Sequence, residues 1–278
     1  MSGNQALEDP GNKSGKSRYT VQAADKLLDI LNVFLAQGGG QTVASISAAT
    51  GIPRPTAFRL LSTLEGQEYL TRENGDYRLG QKCILLGTAA IGSLDLQEQA
   101  RPVMRDLAGA TKESVQLAVL SDWQVVYIEQ VSSPQSVAFM TSRVGSIRPA
   151  YCTGLGKALL AYQPEAEVAR WAAASAFERL TPTTLVTPAS LLEDLALVRS
   201  RGFAIDNEER ELGVACVAAP VTDHRGEVVA AVSVAAPRVR LPQDLPGSTF
   251  AKQVVDAAAA ISLRLGCPAE RWKAGVKS

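Results

Sequence analysis

Histidine is almost missing from this chain of 278 residues, which has a single copy, His224. This scarcity excludes metal sites built from several histidines and removes most of the case for a nucleophile–histidine–acid triad. His224 lies in a short polar stretch between two apolar runs, a pattern typical of a solvated turn. We therefore expect no metal site and no cofactor.

Paired cysteines and long apolar runs are also lacking. The four cysteines have neither the spacing of a disulfide framework nor that of a zinc site, so we expect free thiols in a reducing cytosol. They are Cys83, Cys152, Cys216 and Cys267. The first twenty residues are polar, without the apolar core of a secretory signal. No run approaches the ~18–20 apolar residues of a membrane span, so a cytoplasmic protein without a membrane partner is expected.

An excess of charge of either sign is lacking as well. Lysine and arginine total 28 and aspartate and glutamate total 28, so any nucleic-acid contact must come from a local patch. The apolar fraction of 46% excludes disorder along the whole chain. At ~100–200 residues per domain, the length suggests two domains.

The first ordered segment has the pattern of a helix-turn-helix. Apolar residues from Val21 to Leu35 recur at helical spacing, and three glycines from Gly38 end that helix. The apolar residues are Val21, Ala24, Leu27, Leu28, Leu31, Phe34 and Leu35. Thr42 is suited to cap a short second helix, and Gly51 to end it. A third helix opens at Ile52-Pro53, so a short turn joins two helices.

A two-stranded wing is predicted to follow. Residues 69–72 and 77–79 have strand patterns, and Asn74-Gly75 between them is the strongest short hairpin signal. The first domain therefore reads as a winged helix over residues 19–80, after a flexible polar tail at 1–18.

Several side chains of this winged helix are suited to double-stranded DNA. The arginines of the third helix can contact guanine edges or phosphates, and the wing can contact the DNA backbone. The N–H groups at the start of that helix, around residues 55–57, can hold a phosphate. The candidate DNA-binding residues are Arg54, Thr56, Ala57, Phe58, Arg59, Arg72, Tyr77 and Arg78. The basic tail residues Lys13, Lys16 and Arg18 could follow a groove. The plainer alternative is a small helical domain with surface arginines, because residues 1–87 carry nine basic against eight acidic side chains.

A linker helix and an α+β domain complete the prediction. Residues 81–95 look like a helix that is apolar nearly all round and needs a burying partner, for which a second subunit is the natural candidate. In residues 96–278, strands are predicted at 115–120, 125–131, 137–141, 215–221 and 228–235. Helices are predicted at 155–161, from the cap Thr187 to Gly202, and along 250–265. Antiparallel hairpins with helices between them indicate a sensor-like α+β domain.

Three separated segments resemble the IclR family of transcriptional regulators. They are residues 75–80 (GDYRLG), 148–161 (RPAYCTGLGKALLA) and 202–221 (GFAIDNEERELGVACVAAPV). Their order and spacing match from about residue 19 to 265. The resemblance implies a C-terminal GAF-like effector-binding domain with an antiparallel sheet. It also implies a homodimer or homotetramer on a palindromic operator, and a small carboxylate effector, including aromatic acids.

The same resemblance implies an effector pocket. Carried over by position, its lining is Thr153, Gly154, Leu155, Asp206, Val214, Cys216 and Ser233. Family members often have a second hydroxyl where this chain has Ala235, which disfavours a very small polar ligand such as glyoxylate. Independently of the family, N–H groups of Gly154 and Gly156 before a helix could meet a carboxylate.

Three of the pocket residues also have a purely structural interpretation, and two other functions stay open. Ser233 could bond to backbone, Asp206 could cap a turn, and Cys216 could be a small core residue. A cysteine-dependent hydrolase would need Cys152 or Cys216 beside His224, without the usual nucleophile elbow. A scaffold whose winged helix binds protein is the other alternative. We expect a ligand-responsive regulator of a catabolic operon rather than an enzyme.

Overall fold

The structure is a computed structural model that describes residues 21–92, 95–132, 143–270 and 272. It divides into two compact units, one ending at Ser93 and the other beginning at Leu94. The predicted basic tail and the predicted strand at 137–141 lie outside the described residues. None of the described helices is long and apolar enough to cross a membrane.

The first unit is a winged helix-turn-helix, as predicted. Its elements are α1 (Gln22–Gln37), α2 (Val43–Thr50), α3 (Arg54–Gly66), β1 (Leu70–Glu73), β2 (Asp76–Leu79) and α4 (Gln81–Gly92). The Thr42 side chain accepts a hydrogen bond from the Ser45 amide, and the Ser45 hydroxyl accepts one from the Thr42 amide. Gly51 ends α2 in the left-handed region, at a φ of 73°. Local capping chemistry therefore fixes the turn into α3.

The wing hairpin also matches its prediction. β1 and β2 pair antiparallel, with Glu73 opposite Asp76. Asn74 and Gly75 form the two-residue turn, and both have positive φ, at 52° and 91°. This conformation suits the twist of paired strands and favours an Asn-Gly sequence.

The buried face of α1 differs from the predicted stripe. The buried residues are Ile30, Val33 and Phe34. Three residues of the predicted stripe are mostly exposed instead: Val21, Leu28 and Leu35. These three are spaced seven residues apart and lie on one side of the helix, so α1 has a second apolar face that the described residues of its unit leave uncovered.

Helix α4 is shorter than the predicted linker helix 81–95, because it ends at Gly92 and Asp95 caps the next helix. Three of its apolar side chains, Ile84, Leu85 and Leu86, are more than half exposed.

The second unit is an α+β domain, as predicted. Its helices are α5 (Leu96–Thr111), α6 (Gly154–Leu160), α7 (Glu165–Ala174), α8 (Pro188–Arg201) and α9 (Thr249–Arg264). Its strands are β3 (Ser114–Ser121), β4 (Gln124–Val131), β5 (Ile147–Pro149), β6 (Ala204–Asn207), β7 (Val214–Thr222) and β8 (Val228–Pro237). They form one antiparallel sheet in the order β5-β4-β3-β8-β7-β6.

Helices cover both faces of this sheet. Val232 and Val234 of β8 pack with α5 and α9, whereas Ala231 and Ala235 pack with α6, α7 and α8. This alternation follows from the two-residue period of a strand. Strands β5 and β6 and helix α7 were not predicted. The capped helix α8 was predicted correctly, with Thr187 at its start and Gly202 after its end.

Candidate functional site

The exposed face of α3 carries unpaired cations. Arg54 and Arg59 are solvent-exposed, and neither makes an ion pair with any residue that the structure describes. Phe58 beside them is about half exposed, at 47%. The opposite side of α3 packs into the core through Leu61 and Leu64. One side of α3 thus packs into the core, and the other side exposes two guanidinium groups to solvent.

Two of the predicted DNA-binding side chains are buried. Ala57 and Tyr77 are both fully inaccessible to solvent. Ala57 lies on the core side of α3, and Tyr77 is on the inner side of β2, where it packs with Ile30 and Leu61. The prediction that the Tyr77 side chain contacts DNA is therefore wrong. Ala57 is predicted to act through its backbone N–H, which already donates to the Pro53 carbonyl at 2.9 Å. Thr56 is half-buried.

The two wing arginines are exposed but engaged locally. The Arg72 guanidinium lies over the Tyr77 ring, 5.4 Å from its centroid. Nε of Arg78 lies 3.2 Å from Oε2 of Glu73, in a solvent-exposed ion pair. Exposed pairs of this kind contribute roughly 0–1 kcal/mol. Either arginine could therefore exchange its partner for a phosphate at small cost.

The second unit contains a cavity between the sheet and the start of α6. It encloses about 480 Å³ of empty space, part of it open to solvent. Its lining is Gln116, Tyr127, Thr153, Gly154, Leu155, Asp206, Arg210, Glu211, Val214, Cys216 and Ala235. Six of the seven predicted pocket residues are brought together here, and Ser233 is the exception.

Ser233 lies on the α6 side of the sheet but does not line the cavity. Its hydroxyl is fully buried, next to the weakly bonding thiol of Cys216. Its register partner on β3 is Gln116, whose Nε2 atom is also buried and has no partner in the described chain. Because buried polar groups are nearly always hydrogen-bonded, we expect Nε2 of Gln116 on the cavity wall to donate to a ligand or to water.

Close packing explains both glycines of the 154–156 segment. A Cβ on Gly154 would lie 2.6 Å from Sγ of Cys216, and one on Gly156 would lie 2.2 Å from the Ala150 carbonyl oxygen. The Gly156 amide already donates to Oγ1 of Thr153, at 3.1 Å. The expectation that Gly156 offers its N–H to a ligand is therefore wrong.

Asp206 is the buried acid of the cavity. Its Oδ1 accepts a hydrogen bond from the Glu209 amide, at 2.8 Å. Burial, followed by repulsion from Glu209, raises the pKa of Asp206 to about 7, although Lys157 acts in the opposite direction. The carboxyl group therefore changes charge near neutral pH and can act there either as a hydrogen-bond donor or as an anion.

A buried ion network lies next to the cavity. Nζ of Lys157 contacts Oε1 of Glu209 at 2.5 Å and Oδ2 of Asp194 at 2.9 Å. Burial lowers the pKa of Lys157, but these two carboxylates more than offset it, so the pKa is raised overall. The network ties α6 to α8 and to the loop after β6.

Sequence reasoning missed four of the cavity's polar side chains. Gln116 and Tyr127 belong to β3 and β4, and which strands lie beside these two is decided by the order of the sheet and not by the local sequence. Arg210 and Glu211 lie in an irregular loop that has no periodic pattern. The one available signal was a lone glutamine inside the apolar run 115–120.

The thiols do not have the setting of a nucleophile. Burial raises the pKa of Cys152 to about 11 and also raises the pKa of Cys216. Roughly 20 Å of extended strand separates Cys216 from the turn that holds His224. Neither thiol is thus activated as a catalytic cysteine requires.

The comparison with known families decides the assignment. The IclR helix-turn-helix domain matches residues 23–74, and the C-terminal domain of bacterial IclR transcriptional regulators matches residues 88–263. The chain belongs to the IclR family. It is therefore a transcriptional regulator with a DNA-binding helix-turn-helix.

Individual IclR relatives are similar to this chain over nearly its whole length. The transcriptional regulator XynR of Escherichia coli K12 is 34% identical, over 90% of this chain and 99% of its own length. The solved repressor BlcR of Agobacterium tumefaciens shares the fold, with a TM-score of 0.80, 24% identity, and coverage of 90% of this chain and 99% of its own. Relatives named as regulators point to a role other than catalysis.

One solved IclR homologue contains a small aromatic acid. This protein, from Microbacterium hydrocarbonoxydans, is complexed with 4-hydroxybenzoate. It is 25% identical to this chain, with a TM-score of 0.54 and coverage of 88% of this chain and 99% of its own.

Proposed function

We propose that this IclR-family protein is a ligand-responsive regulator of a catabolic operon. It binds a palindromic operator as a dimer or a pair of dimers, and a small organic acid of the aromatic class is its effector. The observation that carries the proposal is the combination of two features in one chain. One is the unpaired cationic face of α3, and the other is a cavity lined by six of the seven predicted pocket residues.

DNA is bound through α3 and the wing. Arg54, Thr56 and Arg59 face base edges or phosphates in the major groove, while Arg72 and Arg78 contact the backbone. Phe58, exposed on the same side of α3, is suited to contact a thymine methyl group. In this proposal residues 19–80 form the DNA-binding domain, 81–95 the linker, and 96–278 the effector domain.

Two copies are joined through apolar faces of the first unit that its described residues leave exposed. The face of α1 formed by Val21, Leu28 and Leu35 is one, and the three exposed side chains of α4 are the other. Large apolar side chains at this spacing are typical of helix–helix contacts between subunits. A two-fold dimer presents two α3 helices, which fits a palindromic site.

The effector is held by the polar groups of the cavity. Arg210 supplies a cation and Gln116 an unpartnered donor, and both suit a carboxylate. Asp206 can exchange a hydrogen bond with a hydroxyl of the ligand, and Leu155 and Val214 offer apolar contacts to a ring. The absence of a hydroxyl at Ala235 and the 4-hydroxybenzoate in the solved homologue both support an aromatic acid.

Binding of the acid is coupled to DNA affinity by linkage. A ligand that prefers one arrangement of the dimer shifts the population toward that arrangement and changes operator affinity. Couplings of this kind are typically ~1–3 kcal/mol, or roughly 5–150-fold in affinity.

The proposal is tested in two steps with the purified full chain. First, duplexes are selected from a random pool, and affinity for the selected sequence is measured by fluorescence anisotropy over a salt series. We expect a sequence-selective complex whose affinity falls steeply with salt. If no duplex is enriched, the scaffold interpretation replaces DNA binding.

The second step is a thermal-shift screen of small carboxylic and aromatic acids that includes 4-hydroxybenzoate. An acid at 100 times its Kd stabilises the protein by ~2.7 kcal/mol, which raises Tm measurably. Benzyl alcohol and phenol serve as uncharged controls. Equal shifts with acids and with these controls would contradict carboxylate recognition.

A further inference from the structure

A second cavity in the effector domain shares no lining residue with the effector pocket. It encloses about 620 Å³ of empty space, part of it open to solvent. Its lining is Asp122, Trp123, Gln124, Pro149, Ala150, Tyr151, Trp171, Ser175, Ala176, Phe177 and Glu178. We call it the aromatic cleft.

Four aromatic rings form a continuous wall of the aromatic cleft. Trp123 and Trp171 are stacked, with ring centroids 5.2 Å apart and planes 11° apart. Phe177 lies against Trp171 at 5.6 Å and stacks on Tyr151 at 4.5 Å. The whole chain has only three tryptophans, and two of them meet here. Ring faces that border a cavity attract cations through their quadrupole.

The position of Trp123 is set by a tight turn. Asp122 and Trp123 form the two-residue link between β3 and β4, with φ of 49° and 61°. A bulky residue rarely adopts this left-handed conformation, since it is sterically unfavourable. The turn holds the Trp123 indole over Trp171 and places the Asp122 carboxylate at the rim.

Unpaired carboxylates make the surroundings of the aromatic cleft acidic. Asp122 and Glu178 are exposed lining residues, and Glu167 lies beside the tryptophan pair with Arg170. None of these four forms an ion pair with any other part of the described chain. Three negative charges and one positive charge leave the rim with a net attraction for a cation.

Two backbone carbonyls beside the rings already accept hydrogen bonds, whereas the carboxylate acceptors of Asp122 and Glu178 lie at the rim. The Tyr151 hydroxyl donates to the Glu178 carbonyl at 2.9 Å, and the Thr153 hydroxyl donates to the Pro149 carbonyl at 3.3 Å. A primary ammonium needs several acceptors to replace its water, whereas a quaternary ammonium needs none. The wall therefore favours a methylated nitrogen over one that carries hydrogens.

We propose that the aromatic cleft binds a small organic cation of the trimethylammonium class. The methylated nitrogen lies against the aromatic wall, with the carboxylates of Asp122 and Glu178 at the rim. This site is separate from the effector pocket and does not depend on what that pocket binds.

The test uses choline and its uncharged carbon analogue, 3,3-dimethyl-1-butanol, with the full-length protein labelled with 5-fluorotryptophan. Fluorine NMR resolves the three tryptophans, which are assigned by single Trp→Phe variants. We expect choline to shift the Trp123 and Trp171 signals saturably and to leave Trp272 unchanged. The alcohol should bind about tenfold more weakly or not at all.

Variants at the exposed rim test whether negative charge there strengthens choline binding, and they leave the core residues unchanged. Asp122→Asn with Glu178→Gln should weaken choline binding several-fold, and Arg170→Gln should strengthen it, with Tm unchanged in both. Equal binding of choline and the alcohol would overturn the proposal and leave an apolar groove. The proposal would also be overturned if choline caused no saturable shift. The same holds if the signals shifted only with protein concentration, because such shifts report contact between copies of the protein.

Discussion

The ammonium group of Lys157 is buried and donates a hydrogen bond to Oε1 of Glu209 at 2.5 Å. The same nitrogen lies 2.9 Å from Oδ2 of Asp194, so two carboxylates share one buried cation. Lys157 follows directly on the 153–156 segment that borders the effector pocket, and Glu209 follows Asp206 by three residues. The network therefore holds together two of the segments from which the pocket is built.

Replacing the cation should be strongly destabilising. In Lys157→Met, the Glu209 and Asp194 carboxylates lose their shared partner, and breaking a buried pair from one side typically costs about 3–5 kcal/mol. The free energy of unfolding in urea measures this loss. The triple variant Lys157→Met, Asp194→Asn, Glu209→Gln removes all three charges and should recover much of it. A loss below about 1 kcal/mol in the single variant would show that the network contributes little.

The pKa of Asp206 predicts a pH dependence. Because its folded-state pKa of about 7 lies above the ordinary 3.8, its contribution to stability is complete below 3.8 and is lost as pH rises through 7. The difference is at most roughly 4 kcal/mol. Asp206→Asn stays neutral, so its unfolding free energy should rise relative to the wild type between about pH 4 and pH 7 and change little above that. Parallel pH curves for the two proteins would contradict the raised pKa.

The same titration should affect the effector. A carboxylate ligand near Asp206 binds more weakly once this group ionises, because like charges repel. We expect calorimetry with a bound acid to show affinity falling as pH rises through about 7 in the wild type. In Asp206→Asn the affinity should change little over the same range. An increase of affinity with pH in the wild type would contradict carboxylate binding beside Asp206.

The contact between Gly154 and Cys216 predicts a steric coupling. Gly154→Ala places a methyl group 2.6 Å from Sγ of Cys216, which should cost about 1–3 kcal/mol of stability. Cys216→Ala removes that sulfur, so the double variant should lose less than the sum of the two single losses. Additive losses in urea unfolding would mean that the two residues do not press on each other.

Arg59 is the most direct test of the α3 face. Arg59→Ala should weaken binding to the selected duplex by about 1–3 kcal/mol and leave Tm unchanged, because the side chain is exposed and unpaired. Arg264→Ala, an exposed arginine on α9, is the matched control and should leave DNA binding unchanged. If both variants bind as the wild type does, α3 does not contact DNA through Arg59.

The parts of the fold that could be predicted are those fixed by local chemistry. Asn74-Gly75 specifies the turn between β1 and β2, and Thr187 and Gly202 mark the start and the end of α8. Neither signal depends on what packs around these residues. The buried face of α1 could not be chosen correctly, because the helix carries two apolar faces and only tertiary packing selects one. In the wing, neighbouring residues of a strand face opposite sides, so Tyr77 and Arg78 cannot both face outward, and only the packing of the hairpin on the helices decides which one does.

For the effector pocket, the resemblance predicted six of the lining residues, Thr153 and Asp206 among them, and the structure added four further polar side chains. Gln116 is positioned by the pairing of β3 with β8, and Arg210 by an irregular loop, and neither relationship is local in sequence. Ser233 shows the limit of carrying over a position, because its hydroxyl is buried beside the cavity without lining it.

The most direct test of the account is the Kd of the full-length protein for its selected duplex, with and without a saturating acid from the thermal-shift screen, 4-hydroxybenzoate first. Fluorescence anisotropy at fixed salt and pH gives both values. We predict a change of roughly 5–150-fold, in either direction, that Arg210→Ala abolishes. An operator affinity that is identical with and without an acid that demonstrably binds the cavity would contradict ligand-responsive regulation.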